Sequence, residues 1–308
     1  MSIKIAVFGQ APFGRDVTTR LAKAGHEIVA VHVPPDSGSR ADPLAEEAEG
    51  RGWPLFRYKG YRRKGSAIPE RVDEYLALGA ELNVLPFTTV ILPPEIIDAP
   101  RHRSVCFHPS VLPAFRGGSA LAWQIIEGAE ETGISVFQPD EGVDTGPLYL
   151  QKRGYSIPKT ANTASLYFDT LYPLGVEAMV ETVAAIDSGT ATLTSQSEEG
   201  ASFQGLVNDE VARLDLAQDV DALDRRIRGC DPQPGAWLRL RDETIRLHGC
   251  RIEPTSRDAG APGEVLAVDE SGLLLAVRGG ALRVQKVRRE TGKKLALESG
   301  LVVGDRLV

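Results

Sequence analysis

Two short segments concentrate the residue types that can move protons. In Val105-Cys106-Phe107-His108-Pro109-Ser110-Val111-Leu112-Pro113 a histidine ends an apolar run and is followed at once by proline. Prolines fix φ and stiffen the turn that carries His108, and a stiff turn is what a general acid or base needs to stay within reach of a reacting atom. Period-2 strand geometry puts Cys106 on the same face as His108. In Pro139-Asp140-Glu141-Gly142-Val143-Asp144-Thr145-Gly146 three carboxylates and two glycines share eight residues. Asp144, with Val143 packing inward and glycines on both sides, can orient or charge-couple a histidine. The plain alternatives are a hydrogen-bonded strand-end histidine and a solvated acidic turn. The acidic loop lacks the calcium-loop spacing D-x-[DN]-x-[DN]-G with a later Glu, so no metal is expected.

A third segment, Gly9-Gln10-Ala11-Pro12-Phe13-Gly14, joins an apolar run to a helical one as a dinucleotide turn does. The fingerprint G-x-G-x-x-G needs glycine where Ala11 stands, and Pro12 removes an amide donor facing the pyrophosphate. A structural turn is expected there, and no NAD.

The elements that must position these residues follow from periodicity. Residues 3–8 form a short apolar run, 14–24 have helical spacing with a Gly25 stop, and 27–33 form a β-rich run closed by two prolines, which is a βαβ unit. Residues 43–50 and 68–79 read as helices, each followed by an apolar run, at 54–56 and 82–85. Residues 104–108 alternate like a strand, 118–130 carry a helix pattern, and 133–137 form another strand. The expected architecture is a Rossmann-like doubly wound, mostly parallel α/β sheet. In such sheets ligands sit outside the carboxyl ends of the strands, where His108 and residues 140–146 fall. Residues 164–188 give a long helical pattern, and 189–204 are rich in Ser, Thr, Gly and Glu with little periodicity. The expected division is a catalytic domain over 1–188, a linker over 189–204, and a small β-barrel domain over 205–308. That last part holds one helix candidate, 219–228, and β-like runs at 237–240, 244–252, 263–268, 273–277, 281–287 and 305–308.

Composition narrows the function. The 308 residues carry 35 basic and 42 acidic side chains, a net charge of −7, which opposes indiscriminate binding to a polyphosphate backbone. From Gly205 onward the count is 17 against 17, so the C-terminal third has no basic excess. Three scattered cysteines, Cys106, Cys230 and Cys250, make neither a disulfide framework nor a zinc quartet and suit a reducing compartment, so a cytoplasmic protein is expected. No apolar run approaches the ~20 residues of a membrane span, and no membrane partner is expected.

The segments FHPSVLPAFRGGSALAWQIIEG and DEGVDTGPLYLQK together resemble the formyltransferase family that uses 10-formyltetrahydrofolate. Family members carry a His-x-Ser-Leu-Leu-Pro-x-x-Arg-Gly element, matched by His108, Ser110, Val111, Leu112, Pro113, Arg116 and Gly117 with only Val111 differing, and a D-x-G-x-D-T-G element, matched by Asp140, Gly142, Asp144, Thr145 and Gly146. Phe8-Gly9-Gln10, residues 41–44, 79–87 and 99–102 are more similar to the hydrolase half of 10-formyltetrahydrofolate dehydrogenase than to methionyl-tRNA formyltransferase. Residues 228–231 and 234–237 are similar to the start of a C-terminal barrel common to both.

The resemblance implies a catalytic Asn, His and Asp. His108 and Asp144 match, and Cys106 stands where the Asn would be. It implies 10-formyltetrahydrofolate as formyl donor, with release of tetrahydrofolate and hydrolysis to formate or transfer to a small or carrier-bound acceptor. Loss of the Asn, which in the transferases polarises the formyl oxygen, fits release to water or an unusual acceptor. His108 is expected to protonate the leaving nitrogen or donate to the oxyanion, with Asp144 holding it and helping to activate the nucleophile. Cys106 is expected as an apolar filler, with a nucleophilic thiolate as the alternative. The pterin slot is placed among Leu85, Phe87, Val90, Ile91 and Leu92, the turn Ser110, Val111, Leu112 and Pro113, and the backbone near Asp140. Arg116 could meet an acidic ligand group or form a structural ion pair. The acceptor stays open among water, a small amine, a carrier protein and tRNA, for which Lys286, Arg288, Arg289, Lys293 and Lys294 could form a basic patch. A folate-binding protein with little catalysis is the remaining alternative.

Overall fold

The computed structural model describes residues 2–36, 41–254, 260–290 and 292–308. The apolar runs of the N-terminal half form one seven-stranded sheet. Its strands are β1 (Lys4–Phe8), β2 (Glu27–Val33), β3 (Leu55–Arg57), β4 (Leu82–Leu85), β5 (Ser104–His108), β6 (Glu131–Phe137) and β7 (Leu148–Ser156), in spatial order 3-2-1-4-5-6-7. From β3 across to β5 neighbours are parallel, and β6 is antiparallel to β5. The chain winds outward from β1 to β3 and then restarts on the other side of β1 at β4. The carboxyl ends of β1 and β4 therefore flank the topological switch point, the place where open α/β sheets bind ligands.

Helices α1 (Ala11–Lys23), α2 (Pro43–Arg51) and α3 (Pro69–Leu76) each carry Pro in the first turn, where the missing N–H has no intrahelical acceptor to lose. Helix α1 starts at Ala11, three residues before the spacing predicts, because Pro12 opens it and the Ala11 N–H donates to Asp42 Oδ2 at 2.7 Å. The other oxygen of Asp42 caps α2 by accepting the Leu44 N–H at 2.9 Å. A Cβ on Gly9 would lie 2.6 Å from the Pro86 carbonyl, so close backbone approach at the switch point requires glycine there.

Strand alternation sends Ala6, Phe8, Ala30, Leu85 and Cys106 to one face of the sheet, where they bury against Tyr61, Val72, Tyr75, Leu92 and Ile96. Phe107 points to the other face, its ring centroid 4.6 Å from that of Phe13 on α1. That face is also covered by helix α4 (Tyr172–Asp187), where a Cβ on Gly175 would come within 2.5 Å of the Phe107 ring. Before α4, residues Leu166–Leu171 form a π-helical turn. Pro173 has no N–H for the preceding turn, and the regular helix starts beside it.

The chain clusters into two units: residues 1–118, 133–154 and 171–203, and residues 119–132, 155–170 and 204–308. Residues 189–203 thus belong with the first unit, where Leu148 and Thr194 pair through their backbones and Arg116 pairs with Phe203. The second unit holds an antiparallel sheet of β8 (Ala236–Leu240), β9 (Glu243–Glu253), β10 (Val265–Asp269), β11 (Gly272–Val277), β12 (Gly280–Arg289) and β13 (Gly292–Leu295), ordered 8-9-12-11-10 with β13 on β12. Its core joins Leu238, Ile245, Leu273 and Val284 to Leu223 and Ile227 of helix α5 (Val220–Gly229). Asp219 caps α5 by accepting the Ala222 N–H at 2.8 Å. The strand expected at 305–308 is reduced to an isolated bridge between Arg306 and Glu264 and a backbone pair between Arg239 and Val308.

Candidate active site

Strand β5 ends at His108 on the carboxyl edge of the sheet, and the loop between β6 and β7 brings Asp144 to it. The imidazole is buried. Its Nε2 lies 2.8 Å from the Phe115 carbonyl oxygen. A carbonyl only accepts, so Nε2 carries the hydrogen and Nδ1 presents a lone pair. That lone pair faces Asp144 Oδ2 at 3.5 Å. The same oxygen accepts the Gly117 N–H at 2.8 Å, which anchors the carboxylate.

Burial holds the His108 pKa below the ordinary 6.5, against the pull of the Asp144 carboxylate and the Phe115 carbonyl toward the charged form. The neutral ring is therefore the resting form at pH 7. A proton arriving at Nδ1 enters the field of a fixed carboxylate, an arrangement that can accept one proton and pass it on.

The Asp144 loop owes its shape to its own polar groups. Asp140 Oδ1 accepts from the Thr145 hydroxyl at 2.6 Å and the Gly142 N–H at 3.0 Å. A Cβ on Gly146 would lie 1.8 Å from the Gln138 carbonyl, so the loop closes only with glycine at 146. Asp144 has φ +56°, a left-handed backbone that Asp tolerates better than most residues. The inward packing expected of Val143 is not found: Val143 is 46 % exposed. The neighbouring hydrogen bonds to Asp140 and the Asp144–Gly117 contact hold the loop instead.

The remaining predicted positions divide by exposure. Leu85, Leu92 and Leu112 are core side chains, whereas Phe87 and Ile91 project from the loop after β4, Ile91 at 71 % exposure, with Val90 half-buried between them. Thr88, Thr89 and Val90 of this loop, with Phe8, Gly9 and Gln10, line a narrow cavity at the switch point. Ser110 turns inward, its hydroxyl donating to the Ala114 carbonyl at 2.6 Å. Val111 and Pro113 are half-buried in the same turn, and the Leu112 carbonyl accepts from Gln151 at 2.6 Å. Arg116, 9 % exposed, donates to Gln196 Oε1 at 3.0 Å and meets Glu198 at 3.4 Å.

Cys106 is buried among apolar neighbours. Burial, reinforced by the negative field of Asp144, pushes its thiol far above the usual range. Three residues unforeseen from the sequence complete the site: Phe115, through its carbonyl, and Gln196 and Ser202. The last two come from an aperiodic stretch of common polar residues, and only the Arg116-Gly117 turn hinted that something must dock there. Among the described residues no group of three or more His, Cys, Asp or Glu side chains is placed to hold a metal, and no helix is long and apolar enough to cross a membrane.

Comparison with known proteins matches residues 3–183 to the formyl transferase family and residues 207–301 to the formyl transferase C-terminal domain. The chain is 39% identical over 313 residues to the mitochondrial 10-formyltetrahydrofolate dehydrogenase of Mus musculus, covering 99% of itself and 34% of that protein. It therefore spans about a third of the length of that relative. It is 32% identical to the methionyl-tRNA formyltransferase of Variovorax paradoxus (strain S110), covering 96% of itself and 94% of that protein. A crystal structure of HypX from Aquifex aeolicus in complex with tetrahydrofolic acid matches with a TM-score of 0.71 at 20% identity, over 100% of this chain and 51% of that one, which speaks to the fold. With a family match over most of the chain and relatives of this similarity, the chain belongs to the formyl transferase family.

Proposed function

We propose that this protein removes the formyl group of 10-formyltetrahydrofolate and passes it to water. One observation carries the reading: the buried His108 meets the half-buried Asp144 at the carboxyl edge of the sheet, and the side chain two residues before the histidine is the apolar Cys106 rather than an amide. In this mechanism water adds to the formyl carbon while its proton moves to Nδ1 of His108 under the field of Asp144. The oxyanion collapses, the C–N10 bond breaks, and the proton held by His108 goes to N10, leaving tetrahydrofolate and formic acid, which loses its remaining proton to solvent as formate. The exposed Phe87 and Ile91 with Val90 offer the apolar wall for the pterin, and main-chain groups of residues 140–146 offer its polar partners. The similarity to 10-formyltetrahydrofolate dehydrogenases supports the donor.

The reading is tested by mixing the protein with 10-formyltetrahydrofolate alone and following tetrahydrofolate and formate, with His108→Ala as the blank. Turnover without acceptor, lost in the variant, is expected. Folate binding without turnover would move the protein toward transfer to another acceptor or toward binding alone.

A second reading is transfer to methionyl-tRNA, favoured by the relative that matches over nearly both full lengths. Arg246, Arg288 and Lys293 form a row across β9, β12 and β13 that an anionic partner could meet. All three are already engaged, Arg246 with Asp209, Arg288 with the Pro234 carbonyl and Lys293 with Asp231, which weakens the row as a phosphate surface.

A further inference from the structure

The segment 189–203 reaches both halves of the candidate catalytic pair. Gln196 directs its amide nitrogen to two main-chain carbonyls, those of Asp144 at 2.8 Å and Gly146 at 2.7 Å. Its amide oxygen accepts from Arg116, Nε at 3.3 Å and a terminal nitrogen at 3.0 Å. Six residues on, the Ser202 hydroxyl accepts the Phe115 N–H at 2.8 Å, and the Ser202 carbonyl accepts the Arg116 N–H at 2.9 Å. Phe115 is the residue whose carbonyl holds His108 Nε2. Gln196 thus grips the backbone of Asp144, and Ser202 grips the backbone that orients His108.

The arrangement answers a physical need. Asp144 and Phe115 both have left-handed backbones, at φ +56° and +57°, conformations that cost free energy in non-glycine residues and persist only where surrounding contacts enforce them. The loop 140–146 is mostly exposed, and the gap from His108 Nδ1 to Asp144 Oδ2 is already 3.5 Å. At that distance a small drift of the loop decouples the carboxylate from the ring.

We propose that Gln196 is a positioning residue for the His108–Asp144 pair, fixing Asp144 through the carbonyls at 144 and 146. The inference rests on the reading of His108 and Asp144 as the proton-handling groups. Asp144 is the ionisable group that acts on His108 from another element; Cys106 shares the histidine's strand and stays protonated, and Arg116 is linked to the loop through Gln196.

The test compares Gln196→Ala and Gln196→Glu with the parent protein. Glu keeps the length of the side chain and strengthens the contact with Arg116, but it replaces the nitrogen that donates both hydrogen bonds with an oxygen facing two carbonyl oxygens. If Gln196 positions Asp144, Gln196→Glu lowers kcat with 10-formyltetrahydrofolate by roughly 10-fold or more, with KM little changed. The same variant lowers the His108 pKa followed by NMR of its ring, because the carboxylate that raises it has moved away. If Gln196 merely braces Arg116, Gln196→Glu behaves like the parent in both readouts, and the proposal falls. The NMR titration needs neither turnover nor a chosen acceptor, and it serves with Gln196→Glu should Gln196→Ala not fold. Full turnover in His108→Ala would instead overturn the catalytic reading itself, while an inactive His108→Ala beside a parent-like Gln196→Glu would overturn only the role of Gln196.

Discussion

His108 faces Asp144 across 3.5 Å with Nδ1 toward Oδ2, while the opposite nitrogen of the ring donates to a main-chain carbonyl. The hydrogen bond to Phe115 settles the tautomer, and the tautomer decides the chemistry. A lone pair turned toward a carboxylate takes a proton readily once an acid is generated nearby, and it releases that proton when a leaving nitrogen needs one.

Replacing either partner removes this exchange. His108→Ala and Asp144→Asn are expected to lower kcat for formyl release by about 10²–10⁴-fold, with folate affinity within a few-fold of the parent. Steady-state turnover paired with a fluorescence titration of tetrahydrofolate checks both halves. A fall in affinity equal to the fall in kcat would place these residues in binding rather than in proton transfer.

Cys106→Ala is expected to retain most of the turnover. A buried thiol held far above its usual pKa supplies almost no thiolate at pH 7. The loss is one of packing, about 1 kcal/mol of stability by analogy with other single-group deletions in cores, read as a shift in the urea midpoint. Complete loss of activity in a folded Cys106→Ala protein would restore the nucleophile.

The acid limb of kcat/KM is expected below pH 6.5. The neutral ring is the active base and burial lowers its pKa, so activity holds through neutrality and falls only as the pH drops through that depressed value. Asp144→Asn removes an influence that raises it, so any residual activity has its limb at still lower pH.

Stability carries a separate pH signature at His32. This ring stacks on Phe8 with centroids 4.2 Å apart and meets the Tyr61 hydroxyl at 2.7 Å, and burial pushes its pKa down to about 3. Between the unfolded value near 6.5 and that depressed value, the unfolded chain binds the extra proton, so stability is lost as pH falls through this window. The slope is at most about 1.4 kcal/mol per pH unit. The double variant His32→Phe with Tyr61→Phe, which leaves no unpaired hydroxyl, is expected to flatten the slope in urea unfolding at pH 4 to 6.5.

The sheet and the site differ in how far they could be read from the sequence. Strands β1, β2, β4 and β5 are short apolar runs ended by Gly or Pro or by His108, and the same pattern that makes them strands places them. His108 and Asp144 stand in segments dense with proline, glycine and carboxylates, so their chemistry is legible from residue type. Phe115, Gln196 and Ser202 are not, because their contributions are main-chain hydrogen bonds and one amide, which any common residue type could hide. The start of α1 at Ala11 is hidden for a related reason: Pro12 signals an end as readily as a beginning until the Asp42 contact is known. The strand expected at 305–308 is a terminal segment tied by a few backbone bonds, because two apolar residues, Leu307 and Val308, are too short a run to separate the two.

The most direct test of the central claim is the fate of the formyl group in ¹⁸O-labelled water, with 10-formyltetrahydrofolate as the sole substrate and the rate in His108→Ala subtracted. The account predicts formate carrying one solvent oxygen, released in step with tetrahydrofolate. Protein that binds the folate yet yields no labelled formate above that blank would contradict it.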